Sequence, residues 1–125
     1  FYLIGLPESM DPTLTGFDLD GNPTFVTDSA LYGGGENVGV DCVAKADGSP
    51  VIAANLYTSG APAQLEVHAF DGAEPRWATT LDTEDVHSFV PPVMWLDEDR
   101  GVVWVVAAGR ADASTTTGFA AALAL

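Results

Sequence analysis

The sequence predicts an all-β fold of antiparallel four-stranded sheets, and three observations carry that expectation. Apolar and polar residues alternate with period two over several segments. Asp-Gly pairs punctuate them, and one strand–turn–strand phrase recurs along the 125 residues. The clearest copy is 64–81 (QLEVHAFDGAEPRWATTL), where Leu65, Val67 and Ala69 alternate with Glu66, His68 and Phe70, as a strand imposes on its two faces. Asp71-Gly72 supplies the turn, because Gly accepts positive φ and Asp hydrogen-bonds its own backbone, and the returning strand carries Trp77.

In chain order, residues 1–6 (FYLIGL) form a continuous aromatic and aliphatic run, the composition of a strand buried on both faces. Residues 7–12 break it with two prolines. Residues 13–19 resume as a strand ending at Asp20-Gly21, and 23–27 is the outgoing strand. Residues 29–37 contain Gly33-Gly34-Gly35 and read as a connecting loop, since a phosphate cradle needs a following helix and a lysine, and neither is there. Residues 38–46 form the next strand, closed by Asp47-Gly48, followed by a strand at 51–57 and a loop at 58–63. Residues 81–86 are acidic and turn-like. Residues 88–96 (SFVPPVMWL) are extended, with Pro91-Pro92 excluding a helix and limiting the ladder partners. Residues 97–101 (DEDRG) turn the chain into 101–108, the most hydrophobic strand; 109–116 is a small-residue loop and 117–125 the last strand. Residues 120–125 have helical propensity, but they stand where the repeat demands a strand and are too short for an isolated helix.

Composition excludes several functions. Eighteen acidic residues against four basic ones give a net charge of −14, which repels a nucleic-acid backbone and an anionic membrane surface. The acids serve solubility and protect sheet edges, with specific cation binding or adaptation to high salt as the alternatives. The chain is 47% hydrophobic, enough for a core. No apolar run approaches the roughly 18–20 residues of a membrane helix, so no membrane insertion is expected. Phe1 is not an initiator and no signal peptide is evident, so a processed chain or a segment of a longer one is expected. Cys42 is the single cysteine, which rules out an intrachain disulfide and a thiolate zinc cluster; within VGVDCVA it reads as a small core hydrophobe.

The recurring phrase sets the architecture. Residues 13–27 (TLTGFDLDGNPTFVT) repeat it with Phe25 in place of the tryptophan, and 117–125 (TGFAAALAL) form a truncated copy. Aligned on these copies, Leu19, Phe70 and Leu125 stand 51 and 55 residues apart. Four strands per repeat at this period are expected of β-propeller blades. With strands named A to D, the chain reads BCD, ABCD, ABC, over repeats of roughly 1–28, 29–82 and 83–125 within one segment, 1–125. That is an incomplete propeller of about two and a half blades, or part of a larger ring, because closure takes at least four sheets. Completion by a further chain or by more of the same polypeptide is expected.

The phrase resembles the blades of quinoprotein-like (PQQ-repeat) β-propellers, whose third strand ends in Ala-x-Asp and whose fourth carries a docking tryptophan. Ala69-Phe70-Asp71 and Trp77 match that pattern; the family's Thr-Gly pair is missing, and the turn before Trp77 is about two residues shorter. The resemblance implies a propeller that, in the dehydrogenases of that group, holds a quinone on its axis and a calcium ion through several blades. Residues for such a cofactor site are not recognisable in this sequence.

Candidate chemistry is sparse. Asp18, Asp20 and Asn22 in DLDGN place oxygen donors at alternate positions, a candidate Ca²⁺ loop, although the distal Glu of the calcium consensus does not follow and an Asp-Gly turn explains the same residues. Asp82, Glu84 and Asp85, and Asp97, Glu98 and Asp99, read as solvated turns. His68 shares a face with Glu66 and Phe70, and His87 precedes Ser88 in an extended segment where neighbours point to opposite faces, so no catalytic pair arises. Trp77, Trp95 and Trp104, with Tyr2, Phe17, Phe25, Tyr57 and Phe89, are expected to pack between sheets, with sugar stacking as the alternative. The expected function is a non-catalytic, extracytoplasmic binding or assembly scaffold with a protein partner. The alternatives are a segment of a quinoprotein-type dehydrogenase and a carbohydrate-binding propeller.

Overall fold

The computed structural model describes residues 2–5, 13–26, 36–57, 63–72, 74–81, 88–89, 91–110 and 114–125. Among these the chain is all-β and antiparallel, with one 3-10 turn at Glu98–Arg100. The strands are β1 (Tyr2–Gly5), β2 (Thr13–Phe17), β3 (Pro23–Val26), β4 (Glu36–Ala44), β5 (Pro50–Tyr57), β6 (Gln64–Asp71), β7 (Glu74–Leu81), β8 (Ser88–Phe89), β9 (Val93–Asp97), β10 (Val102–Arg110) and β11 (Thr116–Ala124). They form three consecutive sheets, ordered β1-β2-β3, then β4-β5-β6-β7, then β11-β10 with β8 and β9 both on the far side of β10.

Local chemistry explains these elements. The β6–β7 hairpin closes over Asp71-Gly72, with Gly72 at φ 60°, where an L-residue would meet backbone strain. The β4–β5 hairpin closes over Asp47-Gly48 in the same way: the Asp47 carboxylate accepts from Ser49 N at 2.8 Å, and Gly48 adopts φ 84°. Pro91-Pro92 splits one extended edge into β8 and β9. Proline has no N–H to give the ladder, so pairing with β10 resumes only at Val93.

The core lies between the second and third sheets. Val51, Ala53, Leu65, Val67 and Ala69 on one side meet Met94, Val103, Val105 and Ala107 on the other, flanked by half-buried Val43, Trp77, Leu81, Leu96, Leu123 and Leu125. The strand register puts each set on a single face. The other face of the second sheet carries Ile52, Ala54 and Phe70, which are also buried. Strands buried on both faces, as β5 and β6 are, belong between two layers.

Three expectations are corrected. Leu19 does not correspond to Phe70: Leu19 sits at the tip of the β2–β3 turn, fully exposed, whereas Phe70 is buried within β6. Alternation in GFDLDG continues past the strand end, so period alone cannot mark where β2 stops. Glu36 and Asn37 belong to β4 and not to the preceding loop, and Gly109, Arg110 and Thr116 belong to β10 and β11, which pair directly there. The short turn at 97–101 is helical in part. No sheet closes on itself among the described residues: the three stand as separate antiparallel sheets. The glycine run 33–35 and the segment 82–87, with His87, lie outside the described residues.

Candidate functional site

Three places hold residues able to do chemistry. The DLDGN turn joins β2 to β3. The Asp18 carboxylate accepts from Asp20 N at 2.9 Å, from Asn22 N at 2.8 Å and from the Asn22 side-chain amide at 3.0 Å. The hydrogen bonds from Asn22, then those from the turn backbone, hold its pKa below the usual carboxylate value. Both carboxylate oxygens of Asp18 and the Asn22 amide are thus engaged in shaping the turn. Asp20 stands beside them, exposed.

The buried face of β6 carries His68. Its Nε2 lies 2.9 Å from Glu66 Oε2, and Thr80 donates to Glu66 Oε1 at 3.4 Å across the β6–β7 pair. Cys42 occupies the same face two strands away, with Ile52 between them in register. Two strand spacings put these backbones roughly 10 Å apart, so no thiol–imidazole pair forms. Burial, then the adjacent Asp41 charge, pushes the Cys42 thiol up to about 12, which leaves it protonated and inert at neutral pH.

The third place lies at the seam of the second and third sheets. Asp41, in the middle of β4, accepts from Met94 N on β9 at 2.7 Å and from Cys42 N at 2.9 Å. Glu98 accepts from Ala46 N at 2.6 Å, tying the β4–β5 turn to the 3-10 turn. Beside this seam an open cavity of about 370 Å³ is lined by Ala44, Trp95, Leu96, Asp97, Glu98 and Asp99. Asp97 is paired with Arg100 at 2.5 Å, and Asp99 is exposed. Trp95 stacks on Trp104 across the β9–β10 pair, ring centroids 5.8 Å apart and planes 12° from parallel.

No family model matches the chain, and no curated protein and no solved structure is similar to it. The site must therefore be judged on its geometry.

Among the described residues, no group of three or more His, Cys, Asp or Glu side chains is placed to hold a metal ion. No described helix is long and apolar enough to cross a membrane. Trp77 packs against the core, as expected. Trp95 does not pack between the described sheets: it faces outward from the third sheet with its partner Trp104. Phe17 is half-buried at the end of β2, and Tyr2, Phe25, Tyr57 and Phe89 fall on β1, β3, β5 and β8. Sequence reading missed the seam. Its signal was Asp41 itself, an acid set within the apolar run VGVDCVA, where a charge needs a partner.

Proposed function

We propose that the chain is a non-catalytic, blade-like β-sheet stack of the propeller type, serving as a binding or assembly scaffold in an extracytoplasmic setting. One observation carries this reading. The central strands of the second sheet, β5 and β6, are buried on both faces, whereas the third sheet is buried on one face and presents Val93, Trp95 and Val106 on the other, at 60%, 46% and 38% exposure. A strand such as β10, apolar on both sides, suits a sheet with a layer on each face, and the exposed apolar surface is where a partner layer docks. The meander order of the sheets and the contact of their first strands, β4 against β9, support the blade reading. Hydroxyl-radical footprinting tests the scaffold reading. Val93, Trp95 and Val106 are expected to be protected in the native protein relative to this chain isolated below its association range. Equal labelling in both states contradicts it.

A second reading draws on the cavity beside Trp95. An exposed indole flanked by Asp97, Glu98 and Asp99 offers a flat apolar platform with hydroxyl acceptors, the pairing that holds a pyranose ring. Titration with neutral oligosaccharides to millimolar concentration, read by tryptophan fluorescence, decides it. Quenching lost in Trp95→Ala supports sugar binding, and an unchanged spectrum removes it.

A further inference from the structure

We infer that the free edge of β11 is a strand-docking site, at which an extended, non-acidic segment of a partner protein adds as a further strand of the third sheet. The inference rests on the scaffold reading and gives it a partner at a place separate from the outer apolar face. Among the described residues β11 pairs with β10 alone. The bond from Leu125 N to Gly101 O, at 3.0 Å, fixes the phase of that ladder. Thr117, Phe119, Ala121 and Leu123 then exchange bonds with β10, whereas Thr116, Gly118, Ala120, Ala122 and Ala124 turn their N–H and C=O groups to the open edge. All five are exposed.

What the edge lacks sets it apart. Exposed edge strands are ordinarily shielded by shortness, charge, proline or a bulge. β1 and β3 span four residues each, and β3 opens on Pro23. β4 carries Glu36 and a register shift between Asn37 and Gly39, and β7 carries Glu74, Pro75 and Arg76. β8 and β9 are parted by Pro91-Pro92. β11 (TTGFAAALA) runs nine residues in unbroken register, with no charge and no proline. Only an extended backbone matches its row of alternating donors and acceptors. The second sheet shows which side chains suit that position. There β7 continues the order β4-β5-β6, as an added strand would continue β9-β10-β11. It sets Trp77 and Leu81 against the core that Leu123 and Leu125 also flank. Charge narrows the partner further: a chain at −14 repels acidic segments, a second copy of itself included. The occupant is therefore a neutral or basic strand with large apolar side chains at alternate positions, and β7 gives its length, eight residues.

Amide hydrogen exchange of the 125-residue chain, read residue by residue by NMR, tests the proposal. The probe strand is an acetylated peptide amide of residues 74–81 (EPRWATTL), which carries one acid and one base. Without peptide, the amides of Gly118, Ala120, Ala122 and Ala124 are expected to exchange fast, and those of Phe119, Ala121 and Leu123 slowly. Peptide at about ten times its Kd should slow the first set about tenfold and leave the second unchanged. Ala122→Pro removes one edge donor and no bond to β10, and should abolish this protection with an unchanged far-UV spectrum. If that variant loses its fold, N-methylated peptides give the same readout on the unsubstituted chain: methylation of alternate amides in one phase blocks binding, and in the other phase leaves it intact. Edge amides unprotected up to millimolar peptide, equal effects of the two methylation phases, or a folded Ala122→Pro chain that binds as the parent does overturn the proposal. Edge amides protected without peptide overturn it too, in favour of a second copy where the protection grows with chain concentration. The outer face is read separately, so loss of the docking strand leaves the expected protection of Val93, Trp95 and Val106 as it was.

Discussion

Replacing Asp41 with Ala perturbs the seam at a single point. The change removes two acceptor contacts, to Met94 N at 2.7 Å and to Cys42 N at 2.9 Å. Met94 is buried, and its N–H points away from β10 toward β4, so it has no alternative strand partner on that side. A hydrogen bond to a charged group contributes about 1.5–3 kcal/mol, and an orphaned buried donor costs about 1–3 kcal/mol. These are two views of the same loss, which sets the expected destabilisation at about 2–3 kcal/mol. Asp41→Asn keeps an acceptor and should lose about 1 kcal/mol. Urea unfolding at pH 7, followed by far-UV dichroism, measures both. With a slope of about 1–3 kcal/mol per molar, Asp41→Ala lowers the midpoint by about 1 M or more, with the slope unchanged. A second readout is specific to the electrostatics: the Asp41 charge helps to raise the Cys42 pKa, so Asp41→Asn should lower it. An Asp41→Ala chain within about 0.5 kcal/mol of the parent refutes the seam as a structural link.

Three further outcomes follow from the same structure. Phe70→Ala should cost about 3–5 kcal/mol, and Leu19→Ala should stay within about 0.5 kcal/mol, because one side chain is buried and the other is in water; equal effects in calorimetry would restore the simple alignment of the repeats. Cys42, with its ordinary value of 9.0 pushed up to about 12, should alkylate at pH 8 about 1,000-fold more slowly than an unperturbed thiol. Its sign for stability is also fixed: the folded state favours the protonated thiol, so stability is full below pH 9.0 and falls as pH rises toward 12. Asp18 and Asp47 behave oppositely. Their native pKa values are held below 3.8 by turn hydrogen bonds, so their contribution is present above that value and is lost as pH falls through the native values. In Asp47→Asn, stability should depend less steeply on pH below 3.8, and an unchanged acid limb would rule out this role for the Asp47 turn.

Much of the fold was legible because strands announce themselves locally. The alternation in 64–71, the Asp-Gly turns and the Pro91-Pro92 break each act within a few residues, and each appears in the structure as an element or its end. Strand β11 was legible against its own alanine-rich propensity because the repeat required it, and it pairs with β10 over nine residues. What was not legible depends on contacts distant in sequence. Asp41 meets Met94 across 53 residues and Glu98 meets Ala46 across 52, and no period reveals such pairs. The exposure of Trp95 was hidden for the same reason: a tryptophan in a strand has one face in and one out, and only the packing of the third sheet on the second decides which. The DLDGN residues were found, but the donor geometry that commits Asp18 to its own turn follows from the backbone path.

The proposed scaffold has its sheets fanned as layers about one axis, with β4 and β9 nearest to it and a further sheet on the outer face of the third. An experimentally determined structure of the native protein tests this most directly. The predicted result is a radial array in which β10 is covered on both faces and Asp41 bridges to Met94. A flat two-layer sandwich, with Val93, Trp95 and Val106 facing solvent, would contradict it.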